Sequence, residues 1–272
     1  MNLSTKKIWS RAINRLYTIF STKIREKTFS SGENRVKYMF FQKNKKKEGQ
    51  DALAVCFPAF AGKGAKYNYV RTLKKININK LFLLDDIGGY DKGNYLIKPG
   101  VEENVRHLIQ EKIDIFKPKT LIFFGSSKGG YTALNFSLMF PNVNVCIAAP
   151  QYFLSDYLTQ EKKYDNLQVI LCGNDTEEAK IKLNNRLREK INHALWLPKK
   201  VYIHYSTEEH TYKEHIKEML ADLKAKNIKT VEDISNYTNH TDLVYFFPDF
   251  LKKSVKAVSY THLRAHETLA NL

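Results

Sequence analysis

The chain has 272 residues, 43% hydrophobic and 12% aromatic, enough for one full-sized buried core and unlike a disordered or low-complexity protein. Its formal charge is +16, but residues 1–50 hold 13 Lys and Arg against 3 Asp and Glu and so carry +10 of it. The basicity therefore belongs to an N-terminal arm suited to an anionic surface, and a nucleic-acid partner, which wants a basic face on the folded domain, is not expected.

The three cysteines, Cys56, Cys146 and Cys172, lie in apolar runs at unpaired spacing. They read as small buried residues in a reducing compartment and not as a disulfide framework. No stretch reaches the roughly 18 apolar residues of a spanning helix, and the N-terminus lacks the apolar core of a secretion signal. A cytoplasmic location follows as an expectation, with residues 1–27 available for contact with the inner face of a membrane.

From the N-terminus, Ile8, Trp9, Ala12, Ile13, Leu16, Tyr17, Ile19 and Phe20 fill one half of a helical wheel, with Arg11 and Arg15 on the other. Such a helix either lies on an anionic membrane surface or packs its apolar face on the main domain. Residues 36–42 read as a strand and 43–49 as a polar connection. Strands are then expected at 52–57, 80–85, 120–124, 143–148, 167–172, 199–205 and 229–234. Helices are expected at 66–75, 101–116, 129–140, 177–193, 213–226 and 242–255. Short continuous runs of Val, Ile, Leu and Phe separated by helices predict a mostly parallel sheet covered on both faces. The expected organisation is an arm over 1–34, one α/β domain over 35–257, and a tail over 258–272. The tail, VSYTHLRAHETLANL, resembles the translation of a sequencing-adapter read, which would leave His262 and His266 without a role.

The most informative segment begins with the apolar run Thr120-Leu121-Ile122-Phe123-Phe124. It passes directly into Gly125-Ser126-Ser127-Lys128-Gly129-Gly130 and then into an apolar-faced helix. Strand, G-x-S-x-G, helix is the context of the nucleophile elbow of α/β-hydrolase-like proteins. There the serine sits on a sharp strained turn, and glycines flank it because side chains would collide with their neighbours. The spacing of a Walker phosphate loop is absent. One oxyanion donor is then the Lys128 N–H at the start of the helix, and the second comes from the loop after strand 52–57, at Ala59 or Phe60. The loop Asp85-Asp86-Ile87-Gly88-Gly89-Tyr90 ends the next strand, where ligands bind in such sheets; Asp86, Gly88, Gly89 and Tyr90 read either as substrate-facing or as a plain turn.

Chain order in this fold puts the acid and then the base after the serine. His193 lies late in a helix, His204 inside a strand, and His215 on the expected surface of a helix. His240 follows the last strand, and Glu209 follows the strand before it, with Glu208 beside it. This pairing is preferred on strand order. The competing pair is Asp175 as acid with His210 as base. No bound metal or cofactor is called for by these residues.

Four segments carry a family resemblance: CFPAF with YNYVRTL, LFLLDDIGGYDKGNYLI, FFGSSKGGYTAL, and HYSTEEHTYKEHI with NHTDLVYFFPDFLKK. Over about residues 35–255 the chain resembles bacterial capsular-polysaccharide biosynthesis proteins of the α/β-hydrolase type. These are distantly similar to the accessory Sec-system protein that O-acetylates glycans on secreted adhesins. The resemblance implies acyl transfer to or from a sugar hydroxyl through Ser127, His240 and Glu208 or Glu209, with acetyl-CoA as a possible donor. It also suits a basic arm working beside a membrane-bound assembly machine. A scaffold of the capsule or export machinery that kept the fold without the chemistry is the alternative.

Overall fold

The computed structural model describes residues 3–269, apart from 33, 48, 61–63, 89–92 and 161–164. Helix α1 (Leu3–Arg25) leads into strands β1 (Glu26–Ser31) and β2 (Asn34–Phe41). Strands β3 (Ala52–Cys56), β4 (Asn79–Leu83), β5 (Thr120–Ser126), β6 (Val143–Ala148), β7 (Lys200–Ser206) and β8 (Thr230–Ser235) follow. They form one eight-stranded sheet in the order β1-β2-β4-β3-β5-β6-β7-β8. β1 pairs β2, and β2 pairs β4, antiparallel; the other neighbours are parallel.

Helices α2 (Val101–Phe116), α3 (Lys128–Ser137) and α8 (Leu243–Leu269) pack on the sheet. Helices α4 (Leu154–Gln160), α5 (Asp165–Cys172) and α6 (Glu177–His193) fill the connection from β6 to β7, and α7 (Lys217–Ala225) the one from β7 to β8. β3, β5 and β6 are buried along their whole length, which is why they read as unbroken apolar runs.

Three local expectations are corrected. Residues 167–172 are not a strand but most of helix α5. The sheet has no slot for them, because β6 pairs directly with β7, Asn144 opposite Lys200. Residues 66–75 form successive turns instead of a helix, with Tyr69 at φ 59, a left-handed conformation that breaks a helix. Residues 26–31, counted with the arm, form edge strand β1, held by backbone pairing from Glu26 opposite Met39 to Ser31 opposite Asn34. At the other end, α8 continues past residue 257, with Val258 and Ser259 still buried.

α1 meets the domain through Asn14, Tyr17 and Ser21. Ser21 is buried, Asn14 accepts a hydrogen bond from Arg71 Nη1 at 2.8 Å, and Lys74 Nζ lies 4.7 Å from the Tyr17 ring centroid. Leu16 and Phe20 are 67% and 64% exposed, and Ile13, Ile19 and Ile24 are exposed with them. These five residues of the apolar stripe therefore face outward, whereas Tyr17 packs against the core.

Candidate active site

The loops after β5, β6, β7 and β8 all leave the same edge of the sheet, with Ser126 in register with Ala148, Ala148 with His204, and Ser206 with Ser235. In open parallel sheets this is the edge that binds ligands.

Ser127 sits at φ 54 and ψ −122 between β5 and α3, a strained backbone that only a tightly packed turn maintains. Its N–H donates to Ala148 O at 2.8 Å, and its carbonyl accepts from Gly130 N at 2.9 Å and Tyr131 N at 3.2 Å. A Cβ on Gly125 would lie 2.4 Å from the Gly129 carbonyl oxygen, and one on Gly129 would lie 2.3 Å from that of Phe57. Both glycines are required by backbone on two sides. Tyr69 Oη and Ser126 Oγ are 2.6 Å apart, which fastens the 66–75 turns to the elbow.

Lys128 extends from the elbow into the interior, where Nζ donates to Asp85 Oδ2 at 2.7 Å with both side chains buried. Its ammonium also lies 4.9 Å from the Phe60 ring centroid and 5.9 Å from that of Tyr95. One buried cation thus holds together the elbow, the loop after β3 and the loop after β4. Asp85 also accepts from Asn94 N at 2.9 and 3.1 Å, closing its loop. The Lys128 amide opens α3 at the positive end of the helix dipole. The Ala59 amide donates to Asn68 Oδ1 at 3.0 Å and is thereby committed to a loop tie.

At Asp86 and Gly88 the loop after β4 is tied to the protein itself. Asp86 pairs with Lys37 on β2 at 2.7 Å and raises the Lys37 pKa by hydrogen bonding and charge. Gly88 is held at φ 145, where a Cβ would meet the Gly93 carbonyl oxygen at 2.8 Å. Gly89 and Tyr90 lie outside the described residues.

Glu209 and His240 meet. Glu209 is buried in the loop after β7, and its Oε1 lies 2.5 Å from Nδ1 of His240 in the loop after β8. Ser206 joins the two loops: its Oγ accepts from Glu208 N and from Tyr237 N, each at 3.1 Å. The exposed Glu208 stays outside this pairing. His210 turns to Glu214, 2.9 Å from Nδ1, while its Nε2 is 4.0 Å from Glu209. Asp175 lies in the exposed connection between α5 and α6, 3.3 Å from Lys180 Nζ. Among the described residues, no hydrogen bond joins His240 to Ser127. The serine hydroxyl instead accepts from Nε2 of Gln151 at 2.6 Å.

Gln151 was not legible as a site residue, because a neutral amide in a loop belongs to no motif. His215 also departs from expectation. It is buried between Phe153 and Tyr157, ring centroids 6.2 and 6.1 Å away, and burial pushes its pKa down to about 4. The π-helical turn Tyr212–Ile216 precedes α7 and turns His215 and Ile216 together toward the core. His204, inside β7, places Nδ1 2.6 Å from Asp233 and is stacked by Tyr237 and Phe246.

No protein-family model matches this sequence, and no curated protein matches it. Solved structures do. The capsule O-acetyltransferase of Neisseria meningitidis serogroup A superposes with a TM-score of 0.67 at 21% identity, covering 84% of this chain and 94% of that one. A histidine-to-alanine variant of that enzyme, in complex with CoA, matches with the same TM-score at 20% identity over 85% of this chain and 94% of that one. The Glycosylation Associate Protein (Gap123) complex from Streptococcus agalactiae gives 0.64 at 16% identity, over 85% of this chain and 46% of that one. The fluorophosphonate-binding serine hydrolase F of Staphylococcus aureus gives 0.59 at 12% identity, over 86% and 97%. Likeness at these identities is likeness of fold, and with the strand order and the elbow it gives this chain an α/β-hydrolase-like fold.

Proposed function

We propose that this protein is a serine acyltransferase that O-acetylates a bacterial surface or capsular polysaccharide, with ester hydrolysis as the competing outcome when water takes the acyl group. The observation that carries the reading is the pair of devices on one sheet edge: a strained serine elbow at Ser127 and a Glu209-bound imidazole at His240. The likeness to a capsule O-acetyltransferase, and to a variant of it bound to CoA, supports a sugar hydroxyl as acceptor and an acetyl thioester as donor. Glu209 holds Nδ1 of His240 and stabilises the imidazolium, so Nε2 is the atom left to take the Ser127 proton. Ser127 attacks the acyl carbonyl, and backbone amides at Lys128 and Phe60 hold the oxyanion. The proton then passes from His240 to the departing thiolate. A sugar hydroxyl, deprotonated by His240 in turn, attacks the acyl-enzyme.

A fluorophosphonate probe tests this reading. Labelling of the wild type that disappears in Ser127→Ala is expected; no labelling of the wild type would favour a non-catalytic scaffold that kept the fold.

We propose further that residues 1–27 seat the protein on an anionic surface. No helix among the described residues is long and apolar enough to cross a membrane. α1 offers a different mode, because Ile13, Leu16, Phe20 and Ile24 face outward with Arg15 and Lys23 beside them. Flotation with vesicles containing anionic lipid should be lost on deleting residues 1–25, and flotation equal to that of the full chain would exclude the idea.

A further inference from the structure

Gln151 lies in the loop after β6 with its side chain fully buried. Its Nε2 donates to Ser127 Oγ at 2.6 Å, and its Oε1 has no hydrogen-bond partner among the described residues. The contact is set by backbone. Ser127 N donates to Ala148 O, Ala149 N donates to His204 O at 3.0 Å, and Pro150 rests so close to Gly130 that a Cβ there would come within 3.0 Å of it. The elbow and the loop bearing Gln151 are thus locked together, and the amide has little freedom to leave the hydroxyl.

We propose that Gln151 is a further catalytic residue of this site, whose side-chain N–H holds the Ser127 oxygen and stabilises negative charge on it when Ser127 attacks and when it is expelled. This rests on the reading of Ser127 as nucleophile. While Oγ accepts from Gln151 it keeps its own proton, which remains available to His240. In acylation the Oγ–acyl bond forms, the donor's C–S bond breaks, and the serine proton passes through His240 to the departing sulfur. In transfer the acceptor oxygen bonds to the acyl carbon, and the Oγ–acyl bond breaks with its electron pair returning to Oγ. The acceptor's proton then passes through His240 to Oγ. Gln151 stays neutral throughout and gives up no proton. The hydroxyl oxygen that begins acylation and the ester oxygen that begins transfer are both weaker acceptors than an oxygen carrying alkoxide charge, so the bond strengthens toward each transition state and accelerates the step.

The test compares wild type with Gln151→Met and Gln151→Glu, reading the fluorophosphonate labelling rate and the turnover of an activated acetyl ester against pH. Met keeps the volume and loses the donor; both rates should fall about 10- to 100-fold, as for the loss of a hydrogen bond to a charged group. An ionised Glu sets a negative charge against Oγ, whereas a protonated Glu donates an O–H in place of the amide. Gln151→Glu should therefore be nearly inactive at neutral pH and recover as pH falls, an acid-shifted profile that a purely structural role does not produce. Gln151→Asn, polar but too short to reach, serves in place of Met if that variant does not fold. Wild-type rates and a wild-type pH profile in the variants would overturn the role of Gln151 and leave Ser127 as nucleophile. No labelling of the wild type would overturn both.

Discussion

Nδ1 of His240 lies 2.5 Å from Oε1 of the buried Glu209, while His210, one residue from the same carboxylate, is turned to Glu214. This contact supports the proposed pairing of Glu209 as acid with His240 as base, among candidates that strand order alone left open. Glu209→Gln should lower turnover by about 10³- to 10⁴-fold, because an amide holds the wrong tautomer and cannot stabilise the imidazolium. Asp175→Asn and His210→Ala should retain wild-type turnover. Steady-state kinetics on an acetyl ester separate these outcomes; retained activity in His240→Ala with loss in His210→Ala would reverse the assignment.

The buried pair of Lys128 and Asp85 predicts a strong asymmetry. Asp85→Asn takes a buried carboxylate away from the Lys128 ammonium and should cost about 3–5 kcal/mol. Adding Lys128→Met removes the charge that Asp85 balanced, while the new side-chain amide at position 85 can still accept from the Asn94 N–H. The double variant should therefore be more stable than Asp85→Asn alone. Urea unfolding midpoints measure the difference, and an additive pair of losses would argue against the coupling.

The elbow glycines should differ in kind from a loop glycine. Gly129→Ala drives a Cβ to 2.3 Å from the Phe57 carbonyl oxygen and should cost about 3 kcal/mol or more, or abolish soluble expression. Gly173, at φ 81 with open space around it, should cost only about 1 kcal/mol as Ala. Equal thermal shifts for the two would contradict this account of the turn.

His215 gives a dependence of stability on pH. Burial lowers its pKa from 6.5 to about 4, so the unfolded chain binds the proton more readily than the folded one. Its contribution is fully present above pH 6.5 and is lost as pH falls toward 4, by an amount on the order of 3 kcal/mol. Replacing it with the apolar His215→Leu should flatten that slope of the urea midpoint against pH. An unchanged slope would mean that other groups carry it.

The parallel sheet and the elbow were legible because their signals are local. Thr120–Ser126 is an apolar run that ends in glycines, and backbone collision demands those glycines. The positions of Glu209 and His240 were legible one level up, from strand order. Residues 167–172 misled because a six-residue apolar run fits a strand or a buried helix equally well, and only the direct pairing of β6 with β7 decides it. β1 was hidden for the opposite reason: EKTFSS has no apolar alternation, and its place in the sheet comes from backbone bonds. Gln151 and the Lys128–Asp85 pair depend on contacts between distant segments of the chain, which no spacing records.

The measurement that bears most directly on the central reading is the intact mass of the protein after brief exposure to acetyl-CoA without acceptor, followed by peptide mapping. One acetyl group on Ser127, absent in Ser127→Ala and discharged on adding capsular oligosaccharide, is the predicted result. A wild-type chain that acquires no acetyl group from acetyl-CoA or an activated acetyl ester, or an acetyl group that persists in Ser127→Ala, would contradict it.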